Sequence, residues 1–113
     1  MMTADCPFCS LIREGRVRES YSDEIVQFVP LNPVTPGHLL FVPRQHMDPK
    51  IFTPRYSQLL GLTFEIASLY ARTVGADHNL IINQGPAASQ TVEHLHVHYV
   101  PRWPNDGLKL PWS

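Results

Sequence analysis

Six histidines occur in this chain of 113 residues, and half of them stand in strict alternation as His94-Leu95-His96-Val97-His98. In an extended segment, residues two apart project from one face. Three imidazoles therefore share a side, with Leu95, Val97 and Tyr99 on the other. An imidazole with a pKa near ~6.5 is partly unprotonated at neutral pH. It can attack phosphorus while a protonated neighbour supports the leaving oxygen. Two other readings stand beside this one. A metal site is the first, since neutral imidazole is a common ligand, although same-face positions ~6.6 Å apart on one strand are awkward for three rings meeting one ion. A solvated strand that happens to carry histidines is the second, and the apolar partner face speaks against it.

Just upstream, Asn83-Gln84-Gly85-Pro86-Ala87-Ala88-Ser89-Gln90-Thr91 is a small-residue turn. Its amides can cradle an anion, with Asn83, Gln90 and Thr91 as neutral donors. Near the N-terminus, Cys6-Pro7-Phe8-Cys9 is too close-set and too small to be a secreted disulfide framework, which leaves redox or metal chemistry. The redox reading needs the pair to follow a strand and open a helix in a thioredoxin-like fold. Five residues precede it here.

The elements that must position these groups follow from pattern. Glu24 to Val29 and His38 to Val42 are β-rich runs joined through Leu31-Asn32-Pro33 and Thr35-Pro36-Gly37, which predicts a hairpin. Thr53-Pro54 is a helix start. Leu59, Leu60, Phe64, Ala67, Tyr70, Ala71 and Val74 recur at helical steps up to Gly75, so one face of a long helix covers a sheet. Leu80 to Asn83 and His94 to Val100 read as further strands. This order predicts an α+β domain with helix segregated to one side of an antiparallel sheet. A single domain over 1–113 is expected, with an irregular tail at about 102–113.

Composition narrows the partners. The net charge is -1 with pI ≈ 6.6, and Lys and Arg form no run, so capture of a nucleic-acid backbone is not expected. No apolar run reaches the ~20 residues of a membrane span, and Met1 to Pro7 lacks a basic segment followed by an apolar one. A cytoplasmic protein is the expectation.

The run His94-Leu95-His96-Val97-His98-Tyr99-Val100 resembles the hallmark of the histidine triad family. The similarity extends to Asn83-x-Gly85, Gln90-Thr91-Val92, Asn32, Pro36-Gly37-His38-Leu39-Leu40-Phe41-Val42-Pro43 and His46. The resemblance implies a five-stranded antiparallel sheet with one long helix and a short N-terminal helix, paired into a homodimer through the long helix and adjoining strand. It implies His96 as a nucleophile forming a nucleotidyl-histidine intermediate, His98 at the phosphate or leaving group, His94 and His46 in support, and His38 behind them. Asn32 matches a ribose-binding position, while Phe8, Leu11 and Val17 match apolar positions around the base. Ser89 departs from the glycine usual before the glutamine, so the phosphate loop differs from that of relatives. Trp103 and Trp112 are candidate contacts near a partner's site.

Bacterial relatives with Cys-x-x-Cys at this place bind structural zinc, which implies Cys6, Cys9, His46 and His94 as ligands here. Zinc on His46 and His94 would exclude a mobile proton there. The implied activity is hydrolysis or transfer of a small-molecule nucleotide conjugate. The His98-to-Arg102 run resembles the dinucleoside-polyphosphate hydrolase branch, with diadenosine tetraphosphate as a typical substrate. Purine nucleoside phosphoramidase is the alternative, a phosphorylase is a minority reading, and a non-catalytic nucleotide-binding or interaction module is the reading from another class.

Overall fold

The computed structural model describes residues 6–48 and 50–112. The expectation drawn from Met1 to Ala4 and Asp5 lies outside the described residues. Helix α1 (Pro7–Arg13) is followed by β1 (Arg18–Glu19), β2 (Ile25–Phe28) and β3 (Leu39–Pro43). The long helix α2 (Pro54–Val74), β4 (His78–Ile81), a 3-10 turn (Pro86–Ala88) and β5 (Val97–Pro101) complete the order. The strands form one antiparallel sheet in the order β1-β2-β3-β5-β4.

Alternation along the strands sorts side chains onto two helices. On one face Ile25, Leu39, Phe41, Val97 and Tyr99 pack with Ile66, Ala67 and Ala71 of α2. On the other, Val26, Phe28, Leu40 and Val42 pack with Phe8, Cys9 and Ile12 of α1. Full burial of each large aliphatic residue contributes ~1.5–3 kcal/mol. A third cluster, Met47, Tyr56, Leu59 and Leu95, sits at the start of α2. There the Leu95 N–H donates to the Met47 carbonyl at 2.9 Å, which pins the histidine segment.

The hairpin expected from Glu24 to Val42 forms, with Phe28 opposite Leu40 and Val26 opposite Val42. Three boundaries differ. The strand expected over His94 to Val100 begins only at Val97 and runs to Pro101, because the Leu95 amide bonds to Met47 rather than to a neighbouring strand. The strand expected at Leu80 to Asn83 lies at His78–Ile81, where it pairs with Val100 and Tyr99. The buried face of α2 is Tyr56, Leu59, Thr63, Ile66, Ala67 and Ala71, so Leu60, Phe64 and Tyr70 are only half-buried and Val74 is exposed. Thr63 is tolerated inside because its Oγ1 donates to the Leu59 carbonyl at 2.6 Å.

The ends of α2 are as the sequence predicts. Thr53 Oγ1 accepts from the Tyr56 N–H at 3.1 Å, and Gly75 closes the helix at φ 77, a left-handed conformation that suits glycine. Gly37, at φ 90, is needed for a second reason: a Cβ there would lie 3.1 Å from Pro101 Cγ, where β3 begins beside the end of β5. Thr53→Ala should lower stability by about 1 kcal/mol, a drop of roughly 4 °C in Tm, without changing the fold. Thermal unfolding followed by circular dichroism checks this, and an unchanged Tm would show that the cap contributes nothing.

Candidate active site and metal centre

Burial and hydrogen bonding decide what each imidazole can do. His94 is fully buried. Its Nε2 lies 2.9 Å from the Pro43 carbonyl, which can only accept, so Nε2 carries the proton and Nδ1 is bare. That bare nitrogen sits 3.3 Å from Cys6 Sγ, 3.6 Å from Cys9 Sγ and 3.2 Å from His46 Nδ1. Cys9 Sγ and His46 Nδ1 are 3.4 Å apart. The four ligand atoms all lie within 4.8 Å of one another.

Two sulfurs and two imidazole nitrogens so close together make a candidate cation site by their chemistry. Thiolate and imidazole are the soft and borderline donors that suit a tetrahedral ion at ~2.3 Å from sulfur and ~2.0–2.1 Å from nitrogen. The donors come from α1, from the loop after β3 and from the segment before β5, so an ion there ties all three together. Cys6 caps α1, its sulfur accepting from the Cys9 N–H at 3.4 Å. Burial pushes the Cys6 thiol pKa up, with the backbone N–H of Cys9 opposing. His94 is pushed down to about 4, chiefly by burial and further by His46 and His96, so it is neutral and free to ligate at pH 7.

His96 takes the opposite tautomer. Its Nδ1–H donates to the His94 carbonyl at 2.7 Å, which leaves Nε2 bare, and Nε2 makes no hydrogen bond among the described residues. Burial lowers its pKa, so the lone pair is present at neutral pH. A second chain of bonds sets His98. The Val34 N–H donates to His38 Nδ1 at 3.1 Å, so the His38 proton is on Nε2, which reaches His98 Nδ1 at 3.0 Å. His98 Nδ1 therefore accepts and its proton is on Nε2. Burial, then the neighbouring His96 and His38, push His98 down to about 4. The rings of His96 and His98 are 5.2 Å apart. Side by side stand a bare Nε2 and an Nε2–H, a lone pair and a proton.

The expected binding residues are dispersed around this centre. Leu11 and Val17 line a cleft of about 360 Å³ with Phe28, Val29, Arg16 and Arg18. Phe8 is not on that cleft; its buried ring packs between Phe28 at 5.2 Å and His96 at 5.1 Å. Phe28, Leu40 and His98 are successive cross-strand partners, which puts the cleft two strand spacings, ~10 Å, from His98. Thr91 lines a separate cleft of about 300 Å³ with Cys6, His46, Asp48 and Glu93. Gln90 is committed within its loop: its Oε1 accepts from the Gly85 N–H at 2.7 Å and its Nε2 donates to the Val92 carbonyl at 3.2 Å. Asn83 is half-buried and Asn32 exposed. Ser89 adopts φ 68, the left-handed conformation for which glycine would be unstrained. Two positions that sequence reasoning missed are backbone groups, the Pro43 carbonyl and the Val34 N–H, and no side-chain pattern marks them.

Arg102, part of the run after the triad, is engaged elsewhere. Its guanidinium binds Asp106 through Nε at 2.8 Å and Nη2 at 3.2 Å, the Asn79 side chain at 2.7 Å and the Leu108 carbonyl at 3.0 Å. The pair holds the Asp106 carboxyl well below the usual range.

Two outcomes follow. The double variant Cys6→Ser, Cys9→Ser should lose bound metal and melt several degrees lower, read by metal analysis and calorimetry; a wild-type protein that takes up no metal refutes the site. For His98, the unfolded chain gains a proton near ~6.5 and the native one only near 4, so its neutral state stabilises the fold above that window and the benefit fades as pH falls through it. In chelator, His98→Gln should flatten the stability loss between these pH values. Identical slopes for the two proteins in urea titrations would refute the assignment.

Comparison with known proteins agrees with this geometry. The HIT domain family model matches residues 20–105, a span that holds the triad, His38 and His46 and begins after the cysteine pair. The chain is 32% identical over 109 residues to Adenylylsulfatase HINT3 of Arabidopsis thaliana, covering 92% of this chain and 55% of the length of that protein. Its structure is similar to a HIT family hydrolase from Clostridium thermocellum, with a TM-score of 0.77 at 30% identity, over 92% of this chain and 96% of that one. A Zn-bound histidine triad family protein from Mycobacterium smegmatis matches with a TM-score of 0.71 at 29% identity, over 93% of this chain and 80% of that one. With its triad, its sheet and these relatives in agreement, the chain belongs to the HIT domain family.

Proposed function

We propose that this chain cleaves nucleotide conjugates at the α-phosphate through a covalent nucleotidyl intermediate on His96. The observation that carries the reading is the pair of opposite tautomers on His96 and His98. The bare Nε2 of His96 attacks phosphorus and the bond to the leaving oxygen or nitrogen breaks; the Nε2–H of the neutral His98 donates a hydrogen bond to that leaving atom, which takes any proton it needs from solvent. Water then attacks phosphorus, loses its proton to solvent, and the phosphorus–nitrogen bond to His96 breaks, with the His98 Nε2–H again within the site as a hydrogen-bond donor. Both roles need neutral imidazoles at the start, which the buried environment supplies.

His94 acts here as a positioning residue: both its nitrogens are engaged, and its carbonyl orients His96. His38 does the same for His98. We assign zinc to Cys6, Cys9, His46 and His94, where it supplies a cross-link that fixes α1 and the His94 backbone. The nucleobase is assigned to the cleft of Leu11 and Val17, beside Phe8, and the phosphate to the loop of Asn83, Gln90 and Thr91, with Asn32 toward the ribose. In that loop Gln90 shapes the backbone rather than offering a free amide. A homodimer is assigned to the outer face of α2, where Leu69 and Val74 are exposed, together with the β4 edge. Trp103 and Trp112, both exposed, are the tail residues for that partner's site.

For the leaving group, the first reading is a dinucleoside polyphosphate, on the sequence run from His98 to Arg102. A second reading, a smaller leaving group such as an amine or sulfate, is favoured by one observation: the Arg102 guanidinium is spent on Asp106, Asn79 and Leu108 and is not offered to a distal phosphate. Single-turnover reactions with a diadenosine polyphosphate, an adenosine phosphoramidate and adenylyl sulfate, quenched and analysed by mass, separate the two. An adenylyl adduct on His96 that chases to mononucleotide supports the mechanism, and the substrate giving it fastest ranks the leaving groups. Absence of adduct and turnover with all three favours a binding module. His96→Ala should lower turnover roughly 10³-fold or more while nucleotide affinity stays within about tenfold.

A further inference from the structure

Of the four residues gathered around the candidate ion, Cys6 and Cys9 are the pair that can also give up electrons. We propose that they form a peroxide-operated release: oxidation closes a Cys6–Cys9 disulfide, frees the metal and slackens the support of His96. Only the last of these consequences rests on the reading of His96 as the nucleophile.

Geometry permits the bridge. Cys6 is the capping residue and Cys9 the third residue of α1, so they are separated by about one helical turn, ~5.4 Å of pitch. That is inside the ~4.4–6.8 Å between α-carbons that a disulfide spans. Both thiols are free, and their sulfurs belong to a cluster no wider than 4.8 Å.

Access is unequal. Cys6 lines the cleft of about 300 Å³ that it shares with His46, Asp48, Thr91 and Glu93, while Cys9 is fully buried and not on that cleft. The Cys6 thiolate is therefore the one that meets peroxide. Its sulfur attacks one peroxide oxygen, the O–O bond breaks, and the departing oxygen leaves as water after taking up protons. The resulting sulfenic acid is then attacked by the Cys9 thiolate, the new S–S bond forms, and the second oxygen leaves as water. In sum two thiolates, one hydrogen peroxide and two protons give one disulfide and two waters.

The bridge removes two of the four donors, since a disulfide sulfur carries no charge to hold a cation. His94 Nδ1 and His46 Nδ1 then remain 3.2 Å apart with no ion to hold them. The disturbance reaches His96 by two routes. One is the 2.7 Å bond from its Nδ1 to the His94 carbonyl. The other is Phe8, which lies between the two cysteines in sequence and packs its ring on both His94 and His96.

The test uses the full chain loaded with zinc and titrated with hydrogen peroxide. A chromogenic zinc dye, intact and peptide mass, and turnover of the best of the three substrates are read in parallel. The expected result is one zinc released per chain as the mass falls by two hydrogens at the Cys6–Cys9 peptide, restored by dithiothreitol and zinc. Turnover should fall roughly 10- to 100-fold in step with release, the size seen when the support of a metal ligand is removed. Zinc retained with both thiols free, under peroxide that oxidises a simple dithiol peptide, would overturn the proposal. So would zinc lost with oxygen added to sulfur and no bridge, or a chain that takes up no zinc. A bridge with undiminished turnover would overturn the link to His96. A chain that turns over none of the substrates before treatment fails the functional reading alone, since zinc and mass still report on the release.

Discussion

Burying an imidazole completely requires that both ring nitrogens be answered, because an unmet polar atom inside a protein costs about 1–3 kcal/mol. His94 meets the requirement with a backbone carbonyl that takes its Nε2 proton and with the Cys6 thiol, 3.3 Å from Nδ1, as the donor to its bare nitrogen. The carbonyl belongs to Pro43, the last residue of β3, so the tautomer of His94 is set by the sheet itself. Once that proton is placed, Nδ1 must face Cys6, Cys9 and His46, and the carbonyl of His94 is free to take the proton of His96. The cluster of candidate ligand atoms and the tautomer of His96 thus meet at one residue, His94.

A parallel construction holds His98. The amide of Val34, in the turn between β2 and β3, dictates the protonation of His38 and through it that of His98. Both lines of control start from the backbone of one hairpin and end on neighbouring imidazoles with opposite protons. Identical side chains are made unlike by the main-chain groups they meet, and burial keeps each of them neutral.

The antiparallel sheet, the hairpin and the capped long helix were legible in the sequence because each rests on local chemistry: alternation, turn residues, Thr53-Pro54 and Gly75. The cysteine and histidine ligand set was legible from its resemblance, and the structure brings the four residues together across a sequence separation that spacing alone does not bridge. What escaped was tertiary. Alternation of His94 and His96 looked like strand, yet Leu95 bonds to Met47 and the strand starts later. Apolar periodicity in α2 placed Leu60 and Val74 inward, whereas the packed face runs through Ile66 and a satisfied Thr63. Gln90 read as a donor to a ligand, and the structure shows in addition that its side chain braces its own loop.

The sheet also divides the molecule into unequal halves. One side carries 21 residues of α2 over Phe41, Val97 and Tyr99, while the other carries only the seven residues of α1 over Val26, Phe28 and Leu40. Opening free energies within a fold scale with the apolar contact that must be undone. In the metal-free chain the thin layer is therefore the first to lift, with amide protons of α1 exchanging with solvent ahead of those in α2, and an ion held by Cys6, Cys9, His46 and His94 would narrow that difference by tying α1 down.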